Sequence, residues 1–209
     1  MEIVNATAEI AEQFAAEIPD MVHATGPVSY DYHFGERSLL DAAVRGSLRT
    51  PGTLFGWDAT HLALEGDEML GYLVTFHAPE FPERRHALTP VWGELIAAGE
   101  IDESAIAGLV QRAEHASWLN PAVRPGIQYI HAIAVKPEQR GKQIGGLLFD
   151  RALELGREQG YRALELDVLS DNPAVQFYLR KGMELLVESR APKPEEFGVP
   201  PEWRMGMKL

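Results

Sequence analysis

The chain has 209 residues, 45% of them apolar and 24% charged, which is room for one sizeable core or one core with an added segment. Cysteine is absent; this excludes disulfides, thiolate metal sites and a cysteine nucleophile, and it suits a cytoplasmic protein. The formal charge of −12 argues against nucleic acid as a general partner, because phosphate binding needs a basic face.

The acidic balance first serves solubility; second, it suits cationic small molecules or basic peptides. No apolar run is long enough to span a bilayer, so no membrane partner is expected. "MEIVNATAEIAEQF" lacks the basic and apolar regions of a secretory leader.

Taken in order, Glu2 to Asn5 reads as a strand. Thr7 can cap a helix that runs to about Ile18, with Ile10, Phe14 and Ile18 on one face and Pro19 stopping it. "SYDYHFGERS" (Ser29 to Ser38) reads as an aromatic cluster between two helices, either lining a pocket or packing as a loop. Arg37 to Arg49 is a second helix, ended by "TPGT". Thr60 to Glu65 and Met69 to His77 form a hairpin across "EGDE"; Gly71 inside it predicts a bulge or a close backbone approach.

Residues 79–126 break the rhythm. The segment is Pro-rich at its start, carries one helix capped by Asp102 with Ile106, Leu109, Val110 and Ala113 on a face, and closes with "NPAVRPG". It reads as a helical insertion within a single domain that spans residues 1–209. A lid and a contact that makes a homodimer both remain open for it.

Tyr129 to Val135 is then a strand and Ile144 to Gln159 a helix. Arg162 to Leu169 alternates as a strand, with Leu164, Leu166 and Val168 on one face. Asn172 caps a further helix with Pro173 in first position, and Gly182 ends it. Strands follow at Glu184 to Ser189 and Trp203 to Leu209. The order implies an α/β fold of the α+β type, with a mixed sheet that is parallel where helices cross over.

The turn "QRGKQIGG" (Gln139 to Gly146) joins strand to helix. A helix start leaves backbone N–H groups unpaired and adds partial positive charge. Glycines at 141, 145 and 146 allow a bulky anion such as a pyrophosphate to come close. Lys136, Arg140 and Lys142 add cations against the trend of the chain. Alone, the turn is equally a solvated connection. A magnesium-nucleotide loop is disfavoured, because no Gly-Lys-Ser/Thr ends it.

Together, "VKPEQRGKQIGGLLFDRALELGREQG" and the later "DNPAVQFYLRKGM" resemble the two motifs of the GNAT superfamily of N-acetyltransferases. The match is specific over Tyr129 to Met183, looser over residues 1–78, and absent over the insertion. Gln143 stands where the pattern has a glycine, and Met183 where an aromatic is usual. The Gln143 change matters little for a helical φ and matters if φ is positive.

The resemblance implies a centrally splayed sheet, acetyl-CoA as cosubstrate, and no metal. It implies that the strand end Ile133, Ala134 and Val135 pairs with the pantetheine arm as an added strand. It further implies that Arg140, Gly141, Lys142, Gln143, Ile144, Gly145 and Gly146 hold the pyrophosphate and that Asn172 reaches the arm. Tyr178 takes the place of the family's tyrosine, a general acid for the leaving thiolate that also touches the cofactor, with Phe177 beside it expected in the core.

His131 in "YIHAIAV" resembles the histidine of serotonin N-acetyltransferase and is the candidate base. Strand alternation sets it on one face with Tyr129, Ile133 and Val135. Asp167 is a lesser candidate base, more simply a surface carboxylate. The expected function is direct acetyl transfer from acetyl-CoA to a primary amine, small molecule or peptide. The alternative is a CoA-binding module without catalysis.

Overall fold

A computed structural model describes residues 1–117, 119 and 124–209. The described elements run β1 (Glu2–Asn5), α1 (Ala8–Gln13), α2 (Ile18–His23), α3 (Pro27–Phe34), α4 (Arg37–Arg49), β2 (Thr60–Glu65) and β3 (Glu68–His77). Next come α5 (Phe81–His86), α6 (Thr89–Ala97), α7 (Glu103–His115), β4 (Ile127–Val135) and α8 (Ile144–Glu158). The chain ends with β5 (Ala163–Leu169), α9 (Ala174–Arg180), β6 (Glu184–Ser189), α10 (Pro192–Glu196) and β7 (Glu202–Lys208).

The strands form one seven-stranded mixed sheet in the order β1-β2-β3-β4-β5-β7-β6. Only β4 and β5 pair in parallel, as the crossover through α8 requires. Their ladder is short: it runs from Ile127 opposite Ala163 to Ile130 opposite Leu166 and stops. Beyond that point β4 stays with β3 as far as Val135 opposite Gly71, and β5 stays with β7. The sheet is therefore splayed at its centre.

Two apolar clusters cover the two faces. One gathers Tyr72, Val74, Phe76, Tyr129 and Ala132 under α1, α2, α4 and α6. The other packs Leu148, Phe149 and Ala152 of α8 on Leu73, Leu164, Leu166 and Val168, so the alternation read for β5 holds.

Several expectations are corrected. The first helix stops at Gln13; Pro19 does not end it but lies in the first turn of α2, where a missing N–H costs nothing. The aromatic cluster from Ser29 is largely helix α3, with Pro27 in its first turn and Gly35 at φ 76° as its stop. Among the described residues, segment 79–126 holds three α-helices rather than one. Asp102 does cap α7 through the Ala105 N–H at 2.8 Å. Yet the predicted apolar face is not buried: Val110 is 60% exposed. The helix is held instead by Arg112, which donates to the carbonyls of His33 (2.8 Å) and Phe34 (2.9 Å) at the end of α3. The closing "NPAVRPG" falls partly on residues 120–123, outside the described residues.

Two backbone features fix the start of α8. Both readings of Gly71 hold: a Cβ there would stand 2.8 Å from Leu148 Cδ1 and 3.1 Å from the Ala134 carbonyl, and the β2–β3 register shifts beside it, leaving Leu70 as the extra residue between Gly71 opposite Ala63 and Met69 opposite Leu64. Gln143 has φ 64° and is the one non-glycine with positive φ among the described residues. It therefore keeps the left-handed turn that a glycine would take freely, at a cost of about 1–2 kcal/mol.

Gly71→Ala should lower stability by about 1–3 kcal/mol through overpacking against α8. Gln143→Gly should raise stability by about 0.5–1 kcal/mol, since relief of strain exceeds the added flexibility of the unfolded chain. Chemical denaturation midpoints check both; a lower midpoint for Gln143→Gly would refute the strain.

Candidate active site

The break between β4 and β5 opens a cavity of about 990 Å³ that passes through the sheet. On the α8 and α9 side it is bordered by the turn Gln139 to Gly146 and by Phe177 and Tyr178. On the opposite side it is bordered by Ala24, Thr25 and Pro27, between α2 and α3. Its walls are β4 from Ile130 to Val135 and β5 from Leu166 to Val168. Past Ile130 the β5-facing edge of β4 has no ladder partner, and unpaired strand edges are templates for an extended ligand.

The turn arranges donors. Gln143 is the cap residue of α8 and supplies no side-chain cap; the first helical bond runs from the Leu147 N–H to the Gln143 carbonyl at 3.1 Å. The N–H groups of Ile144, Gly145 and Gly146 thus precede the first helical bond, beside the cavity, where an anion is favoured. Arg140 and Gly141 border the cavity as well.

Lys142 does not border it; its Nζ donates to Gln139 Oε1 at 2.7 Å. Lys136, read as part of the basic group, is tied to Glu17 at 2.7 Å. Two cations not expected from sequence border the cavity instead, Arg180 and Lys181 at the end of α9. The signal was present, since both follow the Asn-x-x-Ala helix. Lys181 also holds Asp150 at 2.6 Å.

Asn172 borders the cavity with its amide engaged. Its Oδ1 accepts from the Ala174 N–H at 2.9 Å, and its Nδ2 donates to the Thr25 carbonyl at 3.2 Å, which ties α9 to the α2–α3 connection. The expected roles of Phe177 and Tyr178 are reversed in depth. Tyr178 is buried at 6% exposure and Phe177 only half-buried, though both border the cavity. Burial raises the Tyr178 pKa, so its hydroxyl keeps its proton at neutral pH.

The predicted face of His131 holds for Tyr129 but not for Ile133 and Val135, for a reason a single strand cannot reveal. Val74 pairs with Ala132 and Thr75 with Ile130, so His131 is the extra residue of a β-bulge. A bulge resets the alternation. His131 packs among Phe55, Phe76, Phe81 and Tyr129, with ring centroids 5.1–6.4 Å away, whereas Ile133 and Val135 pack on the other face. Its Nε2 is buried without a hydrogen-bond partner. Burial, helped by the charge of Arg84, lowers its pKa to about 4, so the ring is neutral at pH 7.

Asp167 is not a surface carboxylate. It accepts from Arg204 Nε (2.7 Å) and Nη2 (2.6 Å) and from the Tyr129 hydroxyl (2.9 Å), and it borders the cavity. Glu202, which was not singled out from the sequence, lies on the same face two pairs further along β7, opposite Leu169. Burial first, then the charge of Asp167, push its carboxyl up to about 8 against the pull of Arg204. The alternation of Glu202 and Arg204 beside Asp167 is the signal that could have pointed to it. Among the described residues no group of three His, Cys, Asp or Glu is placed to hold a metal ion, and no helix is long and apolar enough to cross a membrane.

Comparison with known proteins agrees with this geometry. An uncharacterized N-acetyltransferase of Methanocaldococcus jannaschii is 36% identical over 69 residues, 32% of this chain and 30% of that protein. The fold is shared with an N-acetyltransferase from Staphylococcus aureus (TM-score 0.70, 13% identity, 99% of this chain and 100% of that one). It is shared too with a polyamine N-acetyltransferase of Drosophila melanogaster that forms N-acetylagmatine (TM-score 0.59, 17% identity, 100% of both chains). Residues 33–183, well over half of the chain, match the family model of the GNAT acetyltransferases, and the protein belongs to that acyltransferase family.

Proposed function

We propose that the protein moves an acetyl group from acetyl-CoA to a primary amine by direct attack within a ternary complex. The observation that carries this reading is the cavity through the splayed sheet. It has donors for an anion on the α8 side, an open strand edge in the middle, and the Asp167 carboxylate on the α2–α3 side. Acetyl-CoA suits the first two: the N–H groups of Ile144 to Gly146, with Arg140, Gly141 and the bent backbone at Gln143, would hold its pyrophosphate. The backbone of Ile133 to Val135 would pair with its pantetheine amides.

The chemistry then needs a neutral amine, because an alkylammonium of pKa about 10.4 has no lone pair. The nitrogen attacks the thioester carbonyl carbon; the C–N bond forms, the C–S bond breaks, and the nitrogen sheds its surplus proton. A strand N–H near Val135 would steady the oxyanion. Tyr178, on the α9 side, would give its proton to the departing thiolate and regain one from water.

His131 fits the role of base less well than the sequence suggested. A conjugate acid at about pKa 4 takes a proton from an alkylammonium against roughly six powers of ten. In this reading His131 orients the amine rather than keeping its proton. The cationic acceptor of the Drosophila enzyme and the acidic α2–α3 side of this cavity both favour a small alkylamine.

Thiol release from acetyl-CoA with a panel of primary amines tests the reading. Tyr178→Phe should lower kcat by about a hundredfold while leaving acetyl-CoA affinity within a factor of about two. An equal loss in both would remove its acid role. Gly145 has room for a methyl, with the nearest atom, Val135 Cγ2, at 3.5 Å from a Cβ, so Gly145→Leu should fold and lose acetyl-CoA affinity. Retained affinity would move the anion site elsewhere. Acetyl-CoA binding without thiol release for any amine would replace the reading by that of a CoA-binding module.

A further inference from the structure

The face of the sheet under α2 and α3 carries three carboxylates close together, Glu165 and Asp167 on β5 and Glu202 on β7. Two arginines answer them. Arg124 holds Glu165 at 2.7 Å. Arg204 is spent on Asp167, with Glu165 3.6 Å from its other nitrogen. Glu202 is left over: its Oε2 is buried with no hydrogen-bond partner among the described residues. Glu202 as a whole is half-buried, but charge on a buried oxygen without a partner is disfavoured, so the Oε2 side of this carboxyl either keeps a proton or waits for a cation.

The surroundings say which side of the cavity this concerns. The groups that face Glu202 are Asp167 from β5, Arg204 from its own strand, Tyr129 from β4 and Tyr30 from α3. Asp167 borders the cavity, and Tyr30 leans on Thr25, which borders it too. The Tyr129–Asp167 bond has an unpartnered atom at each end, Glu202 Oε2 by the carboxylate and His131 Nε2 by the Tyr129 ring. All of this lies across the sheet from Tyr178, which packs on the α8 face. The acid side of the reaction and the carboxylate side are thus separated by the width of the splay.

We infer that Glu202, with Asp167 beside it, receives the ammonium end of the acceptor amine, and that Glu202 takes the proton the amine must lose. The inference rests on the acetyl-transfer reading above. The balance is simple: the ionised carboxylate accepts one proton from R–NH₃⁺ to give R–NH₂ and a neutral Glu202, and that proton passes to solvent after the product leaves. Below about pH 8 the empty site holds this proton already. A cation entering beside Asp167 must displace it, so amine binding and Glu202 ionisation are linked. The match in proton affinity favours Glu202 over His131. Its value of about 8 lies only two to three pH units below an alkylammonium, where His131 at about 4 lies about six below.

The test compares the full-length wild type with Glu202→Gln and Glu202→Asp, using the best acceptor of a primary alkylamine panel. Wild-type kcat/KM for the amine should rise tenfold per pH unit up to about pH 8 and then level until the amine itself titrates. Glu202→Gln should lose about a hundredfold or more and lack that limb. Glu202→Asp should keep a displaced limb, which a merely structural carboxyl would not. A second readout needs no turnover. The folded carboxyl holds its proton while the unfolded one has lost it, so raising the pH from about 4.5 to about 8 should lower the wild-type Tm relative to Glu202→Gln. The same limb in Glu202→Gln, or a Tm difference flat in pH, overturns the assignment. A wild type that releases no thiol with any amine overturns the acetyl-transfer reading, and this inference with it; a wild type that turns over no better than Glu202→Gln overturns only the role of Glu202.

Discussion

The structure depends on the parting of β4 from β5 after their fourth residue pair. A parallel ladder that continued would satisfy the backbone of both strands and close the sheet. Instead β4 gives its last residues to β3 alone, and β5 gives its own to β7. The extra residue at His131 is the local cause on the β4 side, because a bulge bends its strand and increases its twist. The consequence is a row of backbone groups that only a ligand or water can satisfy. It lies within reach of the start of α8 on one face and of the carboxylates of β5 and β7 on the other.

The same parting explains why charge is distributed as it is. The chain is strongly acidic overall, yet the cations bordering the cavity, Arg140, Arg180 and Lys181, gather on the α8 and α9 side. The carboxylate of α8 that borders it, Asp150, is paired with Lys181, while Asp167 borders it from the other side with Glu165 and Glu202 on the same sheet face. A cosubstrate that is anionic at one end and an acceptor that is cationic meet such a cavity from opposite faces, and each is repelled by the face of the other. Discrimination of this kind needs no base-by-base or group-by-group contact; it follows from the sign of the potential at each mouth.

Much of this was legible in the sequence where a periodicity belongs to one element. The helix from Arg37, the hairpin around "EGDE", the helix from Ile144 and the alternation of β5 all follow from patterns that a single segment carries. What failed depends on a distant partner. Helix α3 has no clear apolar stripe; Arg112, far along the chain, completes its end. Lys136 read as a phosphate cation until Glu17 was seen beside it. His131 shares a face with Tyr129 as expected, but not with Ile133 and Val135, because the bulge is a property of the β3–β4 pair, not of β4. Gln143 was legible as a choice between two backbone angles, and φ 64° decides it: the turn keeps the glycine's shape without the glycine. Glu202 left only a faint signal, its alternation with Arg204, because its meaning comes from four elements at once.

Gln143 and Glu202 share a physical character. Each is a position where a commoner residue would make a more stable protein, a glycine in the left-handed turn and an apolar or amide side chain in the buried cluster. Neither cost is forced by the topology, since the sheet order and the two cores form without them. The strain at Gln143 sets the start of α8 beside the cavity, with the N–H groups of Ile144 to Gly146 ahead of the first helical bond, so under the proposed reading its cost is met in the geometry of an anion site. The carboxyl of Glu202 has no such return in the empty protein. Its neighbour Arg204 is already taken by Asp167, and its own Oε2 has no hydrogen-bond partner among the described residues. A group that destabilises the resting fold and gains a partner only when a cation enters the cavity has its stabilising interaction in the complex, which is where selection for transfer to an amine would act.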